Sequence, residues 1–463
     1  MDKSLLWEAF SSLSPVEVRE FHKFVRSPFF NTRPPLVELT ELLMACRESG
    51  KSPDLKGAAV EQRLAHSGLL ALLDKYLIYK EKTTDVERGK IRLAAAYRKR
   101  KLAKHFQISL REAKQSRDAQ PWRHADYFHD LNLIEWEQYQ FDTSERRTES
   151  LNIQSTSDMM DMAFLSRKLR LACLAVSHQA VYKTEYELGL LSELLTHVEA
   201  KGLATTPAIG LYFHCYKFLT EPQDSGNTGE KGEIHFNLFQ QMLLENSHSF
   251  PADELRALYL LAINFGIKKL NEAREGWLRI TFDLYKSALE LNLLLENNQI
   301  SRFAFNNIVA IALRAEELDW AEKFILEHRP KLERQWRDAT ASLNMARVAY
   351  ARKDYKTALL NLQRSDYKDL INNLIAKTLQ LKIYYETDEL DLLASHLAGM
   401  KNFIRRHTAI GYHRANYTHL VEYTQKIMNL NFNNSKEVEA LRQRILDEKI
   451  LTEKEWFLEM LKT

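Results

Sequence analysis

Between Arg88 and Arg117 the chain carries eleven Lys or Arg and a single acidic residue, Glu112. Cations at that density suit phosphate or carboxylate groups, because several of them held on one rigid face release counterions together when a polyanion binds. The whole chain is only +3, so ten excess positive charges in this segment leave −7 for the remainder, and the sum alone argues for no polyanionic partner. At roughly 100° per residue, Ile91, Ala95, Leu102, Phe106, Leu110 and Ala113 form one apolar stripe. Lys90, Arg100, Lys101, Lys104, Arg111 and Lys114 fall on the far side. The spacing predicts one basic amphipathic helix over 88–117. Its outer ridge is either a contact for a polyanion or acidic partner, or a solvated face paired with acids such as Asp118, Asp126 and Asp130.

Other reactive residue types converge less. His124 and His129 are five apart, and His413 and His419 six apart, so neither pair shares a helix face as an i,i+4 zinc pair does. The three cysteines, Cys46, Cys173 and Cys215, are far apart in sequence and form no CxxC pair or disulfide framework, which fits a reducing compartment. No GxxxxGK[ST] phosphate loop, GxGxxG turn or GxSxG elbow is present. Carboxylates occur throughout, and no pair stands out as acid and base. The expectation is a non-enzymatic protein with no cofactor and no metal; an enzyme would need a site assembled across distant helices. The adjacent Phe29 and Phe30 are either a loop staple or an exposed knob for a partner.

These residues must be positioned by helices. Only 14 Gly and 10 Pro are spread over 463 residues, too few turn formers for many short strands. That length exceeds one ordinary core and calls for several domains or a repeat array. Ser14-Pro15-Val16-Glu17 reads as a capping box with proline at the first helical position, opening a helix to about Arg26. The prolines of 27–35 start another near Leu36, and residues 58–117 read as two long helices. Met159 to Tyr182 is apolar on more than one side, as in a helix buried on two faces. Residues 221–232 are linker-like in composition and are expected as a surface loop, and Thr452-Glu453-Lys454-Glu455 reads as a second capping box. The first eight residues reach charge before any apolar signal region forms, and no run approaches the roughly 18 apolar residues of a membrane span, so a cytoplasmic location is expected.

A repeat emerges in the C-terminal half. Ala312, Ala346 and Leu381 recur 34 and then 35 residues apart, and Phe324, Ala358 and Leu393 keep the same intervals. The unit from Met345-Ala346 through Tyr350, Asp354-Tyr355, Ala358 and Leu362 resembles a tetratricopeptide repeat, and the likeness extends over residues 300 to 405. The neighbouring units depart from the pattern, with Trp320 shifted by one position and Leu393 in place of a small residue. The resemblance implies an all-α α-solenoid of helical pairs whose inner groove binds a protein or peptide. On that reading 121–463 is the repeat array, and 1–120 is an N-terminal helical module containing the basic helix. Asn344, Arg347 and Lys382 occupy first-helix positions that face the groove in such arrays. The leading expectation is a helical-repeat scaffold for a protein or peptide. A nucleic-acid-associated protein using the basic helix stands second.

Overall fold

The computed structural model describes residues 5–51, 53, 60–145, 150–182, 184–220, 229–272, 274–363, 370–407, 413–448 and 450–462. Among these the chain is all-α, with 22 α-helices and one antiparallel pair of two-residue strands. No helix among them is long and apolar enough to cross a membrane. Contacts group the chain into two compact units, 1–250 and 251–463.

The first unit opens with α1 (Leu5–Ser12), α2 (Pro15–Arg26), α3 (Pro34–Glu48) and α4 (Val60–Thr84) around Leu6, Phe10, Phe21, Leu43, Leu69 and Leu73. Ser14 caps α2 as its sequence requires: its Oγ accepts the Glu17 amide at 3.2 Å, and Glu17 Oε2 accepts the Ser14 amide at 2.7 Å. Phe30 stacks on Phe24 with ring centroids 3.9 Å apart, whereas Phe29 stays 86% exposed, so one phenylalanine staples the turn and the other projects from it.

The basic stretch is two helices rather than one, α5 (Val86–Lys99) and α6 (Ala103–Ala119). Lys101 adopts φ 55°, and the Leu102 amide bonds back to the Tyr97 carbonyl at 3.0 Å. This is a left-handed helix-terminating turn that usually employs glycine, so composition did not reveal it. The break moves Leu102 out of the apolar stripe to 40% exposure. A further break at Asp85, whose side chain accepts the Arg88 amide, separates α4 from α5, so 58–117 holds three helices instead of two. The helix α7 (Ala125–Glu145) shares a core with α5 and α6 through Ile91, Phe106, Leu110, Ile134 and Phe141. The division expected at 120/121 therefore runs through one packed group.

The unit continues with α8 (Ile153–Tyr182), α9 (Leu191–Ala200), α10 (Pro207–Thr220) and α11 (Gly229–Asn246). The helix α8 packs on α7 and α10. Of the linker expected at 221–232, residues 221–228 lie outside the described residues, and Gly229 already begins α11. Gly210 marks the tightest approach in α10: a Cβ there would lie 2.1 Å from the Ala204 carbonyl oxygen.

The second unit runs through α12 (Ala252–Asn271), α13 (Trp277–Glu290), the strands β1 (Leu295–Glu296) and β2 (Gln299–Ile300), α14 (Arg302–Arg314), α15 (Leu318–His328), α16 (Arg337–Ala351) and α17 (Tyr355–Gln363). It ends with α18 (Leu370–Glu386), α19 (Leu390–Arg406), α20 (His413–Met428), α21 (Ser435–Asp447) and α22 (Lys454–Met460). From α14 to α19 each helix packs on the next, and α16 also touches α14 and α18. The turns after α14, α16 and α18 are alike. Glu316, Lys353 and Asp388 have φ of 60°, 60° and 59°, and the following amides of Glu317, Asp354 and Glu389 bond to the carbonyls of Ala312, Ala349 and Tyr384. These are the 6→1 bonds of a Schellman ending, made without glycine. Ala312, Ala346 and Ala358 are fully buried where paired helices approach.

One carboxylate ties this region together. Glu386, at the end of α18, accepts hydrogen bonds from Tyr350 of α16, Tyr355 of α17 at 2.5 Å, Trp456 Nε1 of α22 at 2.8 Å and Lys353 Nζ at 3.0 Å. Its side chain is 7% exposed. Burial alone raises its pKa, but the donors from Tyr350, Tyr355, Trp456 and Lys353 outweigh it and hold the carboxyl below its ordinary value. The expected capping box before α22 does not form. Glu453 takes φ 59° as the residue preceding the helix, and its carboxylate goes to Lys382 instead.

Two outcomes follow for stability. Glu386→Ala leaves three buried or half-buried donors without their acceptor and is expected to cost roughly 3 kcal/mol in denaturant unfolding. Because the folded pKa of Glu386 is depressed, the unfolded chain binds this proton first. The contribution of Glu386 is full above the ordinary carboxylate value of about 4.3 and is lost as pH falls from there through the folded pKa, a loss absent from Glu386→Gln. Glu316→Gly, relieving a left-handed conformation at an exposed turn, is expected to raise stability by about 1 kcal/mol, read as a higher thermal midpoint.

Candidate functional site

Asn344, Arg347 and Lys382 lie close to one another, but they are not equally available. Asn344 is fully buried: its Nδ2 donates to Asn306 Oδ1 of α14 at 2.7 Å and to the Thr340 carbonyl at 2.9 Å. Asn306 in turn donates to Asn372 Oδ1 of α18 at 3.3 Å. A buried side-chain amide needs such partners, and Asn344 uses them to tie α16 to α14. Lys382 is also engaged. Its Nζ lies 2.8 Å from Glu453 and 4.8 Å from the centre of the Tyr350 ring, and its side chain is 12% exposed. Asn344 lies on α16 and Lys382 on α18, and sequence spacing could not show that Glu453, at the start of α22, would pair with Lys382.

Arg347 is different. Half-buried on α16, it donates through Nη1 to Asn344 Oδ1 at 3.2 Å and only weakly to the Asn306 carbonyl at 3.4 Å. Among the described residues it makes no ion pair, its partners being these two neutral oxygens. Crowding by protein lowers its pKa, with Glu453 acting in the opposite direction. A guanidinium stays charged across the physiological range, so a cation supported by neutral acceptors remains at the α14–α16 junction. A guanidinium carries the paired N–H donors that a carboxylate accepts in two-pronged fashion.

The cations of 88–117 divide into inner and outer groups. Arg88, Arg98 and Arg117 turn inward: Arg88 Nε reaches Asp130 at 2.7 Å, Arg117 reaches Asp130 at 3.1 Å and Glu87 at 2.6 Å, and Arg98 reaches Glu137 at 2.8 Å. Asp130 is almost fully buried, so this network is structural. Lys90 and Lys114 make looser pairs with Glu112 at 4.0 Å and Glu135 at 3.5 Å. Arg100 bonds the Ala96 carbonyl of its own helix. Lys101, Lys104 and Arg111 are exposed and make no ion pair among the described residues. The turn at Lys101 thus gathers Lys99, Arg100, Lys101 and Lys104 at the tip of a helical hairpin, in place of the continuous ridge expected from sequence.

Two contacts escaped sequence analysis because they join different helices. The Nδ1 atoms of His214 in α10 and His235 in α11 are 2.9 Å apart, and burial pushes His214 down to about 4, so the pair is neutral at physiological pH with one ring donating to the other. Cys173 of α8 and Cys215 of α10 adjoin inside the first unit; burial and the neighbouring Cys173 raise the Cys215 thiol, so it is not an activated nucleophile. Among the described residues no group of three His, Cys, Asp or Glu is arranged to hold a metal. In the second unit a shallow groove of about 570 Å³ lies between α20 and α21, bordered by Lys426, Asn429, Leu430, Glu437 and Arg444. No family model, curated protein or solved structure matches the chain.

Proposed function

We propose that this chain is a non-enzymatic, cytoplasmic helical-repeat scaffold of tetratricopeptide-like build, and that the first-helix face of α14, α16 and α18 binds an acidic segment of a protein or peptide. The observation that carries the reading is Arg347, a half-buried guanidinium with only neutral hydrogen-bond partners among the described residues. The three similar turns at Glu316, Lys353 and Asp388, and the packing of first helix on first helix, support an array of repeated pairs. Such a surface is preformed, so little ordering free energy is spent on the scaffold side when a partner binds.

Random peptides selected on the full-length chain and then measured singly by fluorescence anisotropy provide the test. The expected binders carry a carboxylate that Arg347 receives, and Arg347→Ala weakens them by about tenfold or more. Binders indifferent to both carboxylate removal and Arg347→Ala remove this reading.

The hairpin tip favours a second reading, polyanion binding. On that account, retention of single-stranded or duplex nucleic acid falls steeply with added salt and is lost when Arg100, Lys101 and Lys104 are together changed to Glu. Retention unchanged by the triple reversal excludes it.

A further inference from the structure

The helix α8 is apolar on two faces, but only one is covered. Ala163, Leu169, Ala172 and Cys173 are buried, whereas Ile153, Met160, Phe164, Leu171 and Leu174 remain between 41% and 62% exposed. The expectation of burial on both faces is therefore wrong for this chain alone. The exposed set has a definite period. Ile153, Ser157, Met160, Phe164, Arg167, Leu171 and Leu174 follow one another at alternating steps of four and three, the a/d spacing of a coiled-coil contact. Twenty-two residues at 1.5 Å rise make this face about 33 Å long.

We propose that this face of α8 is a homodimer interface, occupied by α8 of a second copy of the chain running antiparallel across a two-fold axis near Leu165. Charge selects both the partner and the direction. Antiparallel pairing that sets Leu171 against Met160 of the second copy also sets Phe164 against its Arg167 and brings Asp161 opposite its Lys168, with the reciprocal pair generated by symmetry. Asp161 and Lys168 flank the apolar face and make no ion pair among the described residues of their own chain. Parallel pairing stacks Arg167 on its own copy inside the contact and leaves Asp161 without an opposing cation. Arg167 already reaches Asp126 of α7, which draws its charge toward α7. Beyond Leu174, Tyr186 bonds to His178 at 2.8 Å, and Tyr182 stacks on that ring.

Sedimentation equilibrium of the full-length chain over a wide concentration range tests this, with circular dichroism confirming that each variant is folded. The expected wild-type mass rises with concentration toward twice 54.1 kDa. Leu171→Glu, at an exposed position, is expected to keep the monomer mass throughout. Asp161→Lys alone and Lys168→Asp alone are each expected to weaken dimerisation by about tenfold, and the two together to restore it. A wild-type chain that remains monomeric overturns the proposal. So does a dimer indifferent to Leu171→Glu, or a double swap as weak as either single change.

Discussion

The buried Glu386 carboxylate constrains much of the second unit. An ionised carboxylate in that position is tolerable only when surrounded by donors, and Tyr350, Tyr355, Lys353 and Trp456 supply them from α16, α17, their turn and α22. Bringing Trp456 to this acceptor seats the start of α22 at the end of α18, with Phe457 and Leu461 buried in the core they share with α18 to α21. That placement delivers Glu453 to Lys382 and neutralises this cation within the chain. Arg347 keeps amide and carbonyl oxygens as its hydrogen-bond partners among the described residues.

A second constraint is how helices end. Glu316, Lys353, Asp388 and Lys101 all stop a helix in the left-handed conformation, with the next amide bonded back five residues. None is glycine, so each carries backbone strain that the packing of the two joined helices offsets. The same device that joins α14 to α15, α16 to α17 and α18 to α19 also folds the basic stretch of the first unit into a hairpin. It converts an extended ridge into a compact group of cations at a tip, a different electrostatic object with a smaller footprint on a polyanion.

Charge and apolar periodicity were read correctly as periodicities, and the two cases where their meaning changed are instructive. In 88–117 the stripe through Ile91, Phe106, Leu110 and Ala113 is buried, but Leu102 leaves it because the helix phase restarts at Ala103. In α8 the sequence showed two apolar faces without distinguishing a face packed on α7 and α10 from one that is bare. A hydrophobic period reports that a surface avoids water; it does not report what covers it.

The amino-acid order alone settled what depends on neighbours within a turn or two: the all-helical character, the Ser14–Glu17 capping box, the stop at residues 27–35 and the 34–35 residue interval between Ala312, Ala346 and Leu381. Hydrogen bonds and side-chain sterics at that range are encoded directly in residue type and spacing. Only the tertiary structure decided that Asn344 would be buried against Asn306, that Lys382 would meet Glu453 seventy-one residues away, and that His214 and Cys215 would find His235 and Cys173. These pairings depend on how whole helices dock, and one residue's partner is then set by the summed burial of many others.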